Sequence, residues 1–291
     1  MKRIGIIAKV QHPGSESAVL NLIHWLKEKD IEAVLDKETA AVVKQKSDYN
    51  RADLPELSDV IIVLGGDGTL ISVARLIDNR KVPILGVNLG TLGFLTEIAF
   101  EEVYSTLEKV LSGDFKTVER LMIDARVIRE GREVGYYNAL NDIVINRGTL
   151  ARIVDMEVKI DGLYVSSYRA DGFIVASPTG STAYALAAGG PIVYPTLSAL
   201  VLAPICPHNL TNRPIVVPDS VEIEISFLTN DEDVLATIDG QIGFSLTYRD
   251  KILIKKSMNS TLIIQSPQKN YYQILREKLK WGERIGREHL L

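Results

Sequence analysis

Cysteine occurs once among the 291 residues, at Cys206. No intramolecular disulfide can form, and such a chain suits a reducing compartment. The four histidines, His12, His24, His208 and His289, are scattered, so no zinc-ligand spacing exists and no structural metal is expected. His208 lies in the proline-bounded loop CPHNLTNRP and reads as a structural hydrogen-bonding residue. Positive charge is not in excess: 33 Lys and Arg stand against 37 Asp and Glu, a formal net charge of -4. That balance speaks against a broad nucleic-acid footprint. No stretch approaches about 18 uninterrupted apolar residues, so no membrane-spanning helix is predicted. The start MKRIGIIAKVQHPG is basic, but its apolar run is too short for a signal-peptide core and reads as a first strand. Together these absences predict a cytoplasmic protein with no membrane or nucleic-acid partner.

What is present is the composition of an ordinary globular protein, 46% hydrophobic and 24% charged, with a length that favours two domains. The first third alternates strand and helix signals. RIGIIAK, IEAVL, DVIIVL and VPILGV read as strands, and Ser15 to Lys29 carries Val19, Leu22, Ile23 and Leu26 on one helical face. Continuous apolar strands spaced by helix-length segments imply a parallel sheet covered on both faces. Residues 44–56 are polar, carry a proline and read as a loop. After a helical stretch near 100–111 the pattern changes to short β-branched segments, with Asp161-Gly162 and Asp239-Gly240 as turn pairs. One helical insert is expected around 181–188. The expectation is an α/β domain over 1–113, completed by a helical tail at 265–291, and a mostly antiparallel, β-rich domain over 114–264.

The densest signal is VIIVLGGDGTLISVAR, residues 60–75: a buried-looking strand, three glycines and a carboxylate, then a helical pattern. Strand, glycine turn and helix together present backbone N–H groups and a helix dipole to an anion, and glycine lets a phosphate approach the backbone. The turn contains neither G-x-x-x-x-G-K-[ST] nor G-x-G-x-x-G, so it is not a Walker loop or the dinucleotide fingerprint. Asp67 is the odd member, since a carboxylate repels phosphate. Two readings are open. Asp67 either caps the helix that starts at Gly68 or Thr69, or accepts the proton of a hydroxyl that attacks phosphorus. Elsewhere, SPTGSTAY offers hydroxyls and amides at a helix start, or is a plain capped helix. ALNDIVI places Asn141-Asp142 before a strand, as a turn or as a partner for vicinal ribose hydroxyls.

Taken together the motifs are recognisable. GGDGTL at 65–70 resembles the signature of NAD kinases, of diacylglycerol and sphingosine-type lipid kinases and, more loosely, of phosphofructokinases. VNLGTLGFLTE at 87–97, ALNDIVINRG at 139–148, DGFIVASPTGSTAYALAAGGPIVYP at 171–195, APICPHNLTNRPIVVP at 203–218 and IDGQ at 238–241 resemble bacterial NAD kinases in order along nearly the whole chain. The resemblance implies an N-terminal Rossmann-like domain, a C-terminal β-sandwich-like domain and a homotetramer or homodimer. It also implies transfer of the ATP γ-phosphate to the 2′-hydroxyl of the adenosine ribose of NAD, with Mg2+ or another divalent cation arriving with ATP.

By position, the resemblance makes Asp67 the base and gives Gly66, Gly68 and Thr69 to the phosphate turn. Asn141 and Asp142 would hold the ribose, although the family usually has Glu at the second position, one methylene longer. Thr182, Ala183 and Tyr184 would line the adenine pocket, Asp171 would meet the nicotinamide carboxamide, and Phe94 would wall the site. Arg169 would reach a substrate in a neighbouring subunit, and Asp239 and Gln241 count among the nucleotide-binding residues. AYALAAGG departs from the family's AYSLSAGG, so Ala187 lacks a hydroxyl that could bond NAD. A lipid kinase would need a basic or amphipathic docking patch, which is not found. A non-catalytic NAD-binding regulator has no obvious need for Asp67.

Overall fold

A computed structural model describes residues 1–147, 153–228 and 234–281. The chain divides into two compact units, 1–118 with 262–291 and 119–261. In the first unit, β1 (Arg3–Ala8) leads through α1 (Ser15–Glu28) to β2 (Glu32–Leu35) and α2 (Lys37–Val42). Next come α3 (Leu54–Leu57), β3 (Val60–Leu64), α4 (Asp67–Ile77), β4 (Ile84–Asn88), β5 (Ile98–Ala99) and α5 (Val103–Ser112). The strands are parallel in the order β2-β1-β3-β4, with β5 paired to the end of β4.

Every residue of β3 is buried, as an apolar strand covered on both faces requires. Alternate residues Ile4, Ile6, Val60, Ile62 and Leu64 pack with Ala18, Val19, Leu22 and Leu26 of α1 and with Val103, Leu107 and Val110 of α5. Ile61 and Val63 face the other way, where α3 and α4 contact the sheet. At roughly 2 kcal/mol for each buried aliphatic side chain, these stripes supply the main driving force for the unit.

The second unit is antiparallel. Its strands are β6 (Thr117–Arg129), β7 (Arg132–Ala139), β8 (Asp142–Arg147), β9 (Val154–Ile160), β10 (Leu163–Ala170) and β11 (Gly172–Ala176). After the short helix α6 (Tyr184–Ala187) come β12 (Ala199–Ile205), β13 (Ile215–Pro218), β14 (Ile223–Phe227), β15 (Val234–Ile238), β16 (Ile242–Leu246) and β17 (Lys251–Ile264). One sheet runs β13-β12-β11-β8-β15-β16; β10-β9-β14-β17 with β6 and β7 face it, and the end of β17, which belongs to the first unit, pairs there in parallel with β4 at Ile263 and Ile84.

Period-2 alternation decides what each face covers. Ile143, Ile145, Phe173 and Val175 pack into one core with Ile123, Met156, Val158, Ile225 and Ile254 of the facing sheet. Val144, Ile174, Ala176 and Val201 turn to the opposite face, against Ala185 and Val193. Asp161-Gly162 and Asp239-Gly240 both take left-handed dihedrals, the first pair as a two-residue hairpin turn demands and the second within a three-residue connection between Ile238 and Ile242.

The last helix among the described residues is α7 (Tyr271–Leu279), which belongs to the first unit. Three sequence readings need correction. Residues 44–56 are not one plain loop, because a 3-10 turn at Arg51–Asp53 and the start of α3 fall inside them. The short β-branched segments expected at the end of the second domain are not all separate: ILIKKS (252–257) and TLIIQS (261–266), which read as two strands, fall largely in the single strand β17. The helical insert is a 3-10 turn, Gly180–Thr182, followed by one α-turn. The part of the expected helical tail beyond Trp281, with His289, lies outside the described residues, as does Gly148. Among the described residues no helix is long and apolar enough to cross a membrane.

Candidate active site

The glycine turn joins β3 to α4, and Asp67 opens the helix. Its carboxylate does not cap that helix. Thr69 and Leu70 send their N–H groups to the Gly66 carbonyl instead, at 3.0 and 3.3 Å. The side chain reaches across to the loop after β4. Phe94 N–H donates to Oδ2 at 2.8 Å, and Leu95 N–H, Thr96 N–H and the Thr96 hydroxyl each donate to Oδ1 at 3.0 Å.

A carboxylate offers about four acceptor positions. Three donors therefore crowd Oδ1 while Oδ2, with one, keeps a lone pair. Asp67 is only half-buried, and Gly66 is exposed with nothing within 4 Å of where a Cβ would sit. Gly93 is shaped by the same contact, since a Cβ there would stand 2.0 Å from Asp67 Oδ1. Sequence reasoning had no signal for the role of residues 93, 95 and 96 beyond their motif, because the bond spans 27 residues or more.

In the second unit, Asn141, Asp142, Ala183, Tyr184 and Asp239 line one cavity of about 340 Å³, with Val144, Asn146, Thr237 and Gly240. Three motifs distant in sequence meet there. The hairpin tip supplies Asp239, whose Oδ1 accepts from Asn141 N–H (2.7 Å) and Asp142 N–H (3.2 Å) and whose Oδ2 accepts from Leu140 N–H (3.1 Å). The PTGST turn lies against the same segment. Ser177 N–H donates to the Asn141 carbonyl at 2.8 Å, the Ser177 hydroxyl donates to the Leu140 carbonyl at 2.5 Å, and a Cβ on Gly180 would lie 2.1 Å from the Asn141 carbonyl oxygen.

Asp142 is 4% exposed. Burial, then the nearby charge of Asp239, push its carboxyl up to about 7, against the opposing pull of the Tyr184 backbone N–H. Near neutral pH it both donates and accepts. Asn141 Oδ1 is buried and has no hydrogen-bond partner among the described residues, so the cavity holds an acceptor that a ligand hydroxyl would satisfy.

The remaining predicted residues lie apart from that cavity's lining. Thr182, half-buried, donates its hydroxyl to the Thr179 carbonyl at 3.2 Å. Ala187 and Gln241 are exposed, and Asp171 is exposed between β10 and β11. Arg169 lies on β10 with its Nε 3.9 Å from Asp155 and most of its side chain in solvent. In the first unit, Phe94 is half-buried beneath Lys278 of α7, whose Nζ is 5.8 Å from the ring centroid. Asn146 and Thr237 were missed as site residues: both sit inside regular strands, Asn146 within ALNDIVINRG and Thr237 one residue before IDGQ, where strand alternation rather than a turn brings them to the cavity.

Comparison with known proteins matches both units. A family described as ATP-NAD kinase N-terminal domain matches residues 4–115, and one described as ATP-NAD kinase C-terminal domain matches residues 140–266. An NAD kinase of Syntrophotalea carbinolica is 51% identical over 98% of this chain and its own full length. That of Geobacter sulfurreducens is 47% identical, with the same coverage of both chains. Among solved structures, yeast NADH kinase complexed with NADH superposes with a TM-score of 0.89 at 26% identity, over 98% of this chain and 89% of that one. An NAD kinase from Archaeoglobus fulgidus in complex with ATP gives 0.77 at 26% identity, over 94% and 99%. Matches in both halves of the chain decide against the lipid-kinase alternative.

Proposed function

The chain belongs to the ATP-NAD kinase family, and on that premise we propose how its own residues carry the ATP-dependent phosphorylation of NAD. Asp67 is the general base. Its Oδ2 takes the proton of the ribose 2′-hydroxyl while that oxygen bonds to the γ-phosphorus, and ADP leaves with the electron pair of the broken P–O bond. The observation that supports this is the four-donor grip on a half-buried carboxylate, which is not used to cap its own helix. An aimed acceptor with a lone pair to spare is what proton transfer needs.

Gly66, Gly68 and Thr69 serve the phosphates at the turn, where backbone amides and the start of α4 favour an anion. A divalent cation enters as part of the Mg2+–ATP substrate and neutralises charge on the phosphate oxygens. Among the described residues no group of three or more His, Cys, Asp or Glu gathers to hold one.

Asn141 and Asp142 hold the ribose: a hydroxyl donates to the orphaned Asn141 Oδ1, and the partly protonated Asp142 takes either role. Asp239 sets both by gripping their amides. Thr182, Ala183 and Tyr184 line the adenine pocket, and Asp171 receives the nicotinamide carboxamide. Phe94 walls the site. Arg169, exposed on β10, serves a neighbouring subunit of a homotetramer or homodimer.

Positioning of reactants supplies roughly 7–11 kcal/mol, whereas a general base supplies a factor of about 10²–10⁴. Asp67→Asn should therefore lower kcat for NADP formation by about 10²–10⁴, with NAD affinity by calorimetry within a few-fold of the parent. Equal losses of binding and turnover would contradict the assignment.

A further inference from the structure

All four donors to Asp67 come from three consecutive residues, Phe94 to Thr96. The direction of the carboxylate is therefore set by the backbone of one short loop. Asn88 steadies that loop from within, donating Nδ2 to the carbonyls of Thr96 and Ile98 at 3.2 Å, and Gly93 N–H donates to the Thr96 carbonyl at 3.3 Å.

Two further contacts reach it from the other end of the chain. Glu97, next to Thr96 and 6% exposed, accepts from Ser266 N–H at 3.2 Å. Ser266 is itself buried in the link between β17 and α7. Gln265 N–H donates to the Lys116 carbonyl at 3.0 Å, and the Ser266 hydroxyl accepts from Gln268 N–H at 3.2 Å, so the link has a defined path. At the loop's other side Lys278 lies over the Phe94 ring. Among the described residues Lys278 makes no ion pair, and the neighbouring Glu277 is engaged by Lys269 at 3.7 Å. The lysine's charge thus sits against the aromatic face, a cation–π contact. α7 is seated by the buried Ile274 and Leu275 and is started by a reciprocal cap between Asn270 and Gln273. The three donor residues are bracketed, Phe94 under the helix and Glu97 against the link.

We infer that the segment from Gln265 to Leu279 is a positioning element for the catalytic carboxylate, with Glu97 and Lys278 as the two anchors through which it holds the donor loop. This rests on the reading of Asp67 as the base. Neither anchor touches Asp67. Each acts through the backbone that aims it, so loss of an anchor slows the transfer step and leaves substrate affinity in place.

The test uses the full chain, with kcat and KM for ATP and for NAD measured from NADP formation. Lys278→Met, an exposed change that leaves packing alone, should lower kcat about 5- to 20-fold, less than the roughly 10²-fold cost of a 1 Å misplacement, with both KM values within twofold. Lys278→Arg, which keeps the cation over the ring, should restore most of the loss. Glu97→Ala should behave like Lys278→Met, and Glu97→Gln, which keeps an acceptor for Ser266 N–H, should recover. Adding Lys278→Met to Asp67→Asn should cost nothing more, because the two act on one event.

Parental kcat in Lys278→Met beside a crippled Asp67→Asn would overturn the positioning role alone. A loss carried wholly by KM for NAD would also overturn it, making Lys278 and Phe94 substrate contacts. An additive double variant would do the same. Full turnover in Asp67→Asn would instead remove the base on which the inference rests.

Discussion

Placing a methyl group on Gly93 is the sharpest probe of how Asp67 is held. The Cβ of an alanine there would stand 2.0 Å from Asp67 Oδ1, 2.3 Å from the Thr96 hydroxyl oxygen and 2.7 Å from Asp67 Cγ. Real Cβ contacts stay beyond 3.0 Å, so the carboxylate must retreat by about 1 Å, a displacement large enough to cost roughly 10² in rate. Such a retreat also carries Oδ1 out of reach of the Leu95 and Thr96 donors, now at 3.0 Å. Gly93 is not among the glycines with positive φ. The alanine backbone is therefore unstrained, and the steric effect stands alone.

Gly93→Ala should fold with a loss of about 1–3 kcal/mol, the usual cost of overpacking. It should turn over NAD about 10²-fold more slowly, with KM for ATP near the parent value. Steady-state NADP formation and urea unfolding measure the two effects separately. Parental kcat in a variant that carries the methyl group would show that the position of Asp67 does not govern the reaction, and would refute the reasoning.

Two other perturbations address the cavity of the second unit. Gly180→Ala drives a Cβ to 2.1 Å from the Asn141 carbonyl oxygen, against backbone that cannot swing aside. It should raise KM for NAD about tenfold or more, in line with 1–3 kcal/mol of overpacking, while kcat at saturation changes little; an unchanged KM would separate that turn from NAD binding. Asp142→Asn tests the raised carboxyl. In the unfolded chain Asp142 ionises near the ordinary value of 3.8 and in the folded chain near 7, so its contribution to stability falls as pH rises between those values and is level above them. Asparagine does not titrate, so the melting temperature of Asp142→Asn should exceed the parent's by more at pH 8 than at pH 5. An equal difference at both would show that Asp142 ionises normally.

The parallel sheet was legible because RIGIIAK, DVIIVL and VPILGV are continuous apolar runs, which only strands buried on both faces carry at that length. α1 was legible from its four-residue stripe. α2 was not, although Asp36 accepts Thr39 N–H as a helix cap: six residues hold too few turns for a hydrophobic period to show. β7, with its mostly exposed REVGYYNA, and the edge strand β13 escaped for the opposite reason, since strands with little burial need little apolar patterning. At the site, Asp67, Asn141 and Asp142 were visible because a polar group in a turn beside an apolar strand is conspicuous. Their partners were not. Main-chain amides of Phe94, Leu95 and Thr96 leave no mark on side-chain identity, and Ser177, which ties its loop to Leu140, looks like any serine before a proline. The helix-cap alternative for Asp67 could be settled only by where the carboxylate points.

A crystal structure of the chain with NAD bound measures the central claim directly. The ribose 2′-oxygen should lie about 2.6–3.2 Å from Asp67 Oδ2, the oxygen with one donor, while Oδ1 keeps its bonds to Leu95 and Thr96. A 2′-oxygen held by other groups, with Asp67 beyond hydrogen-bond reach, would contradict it.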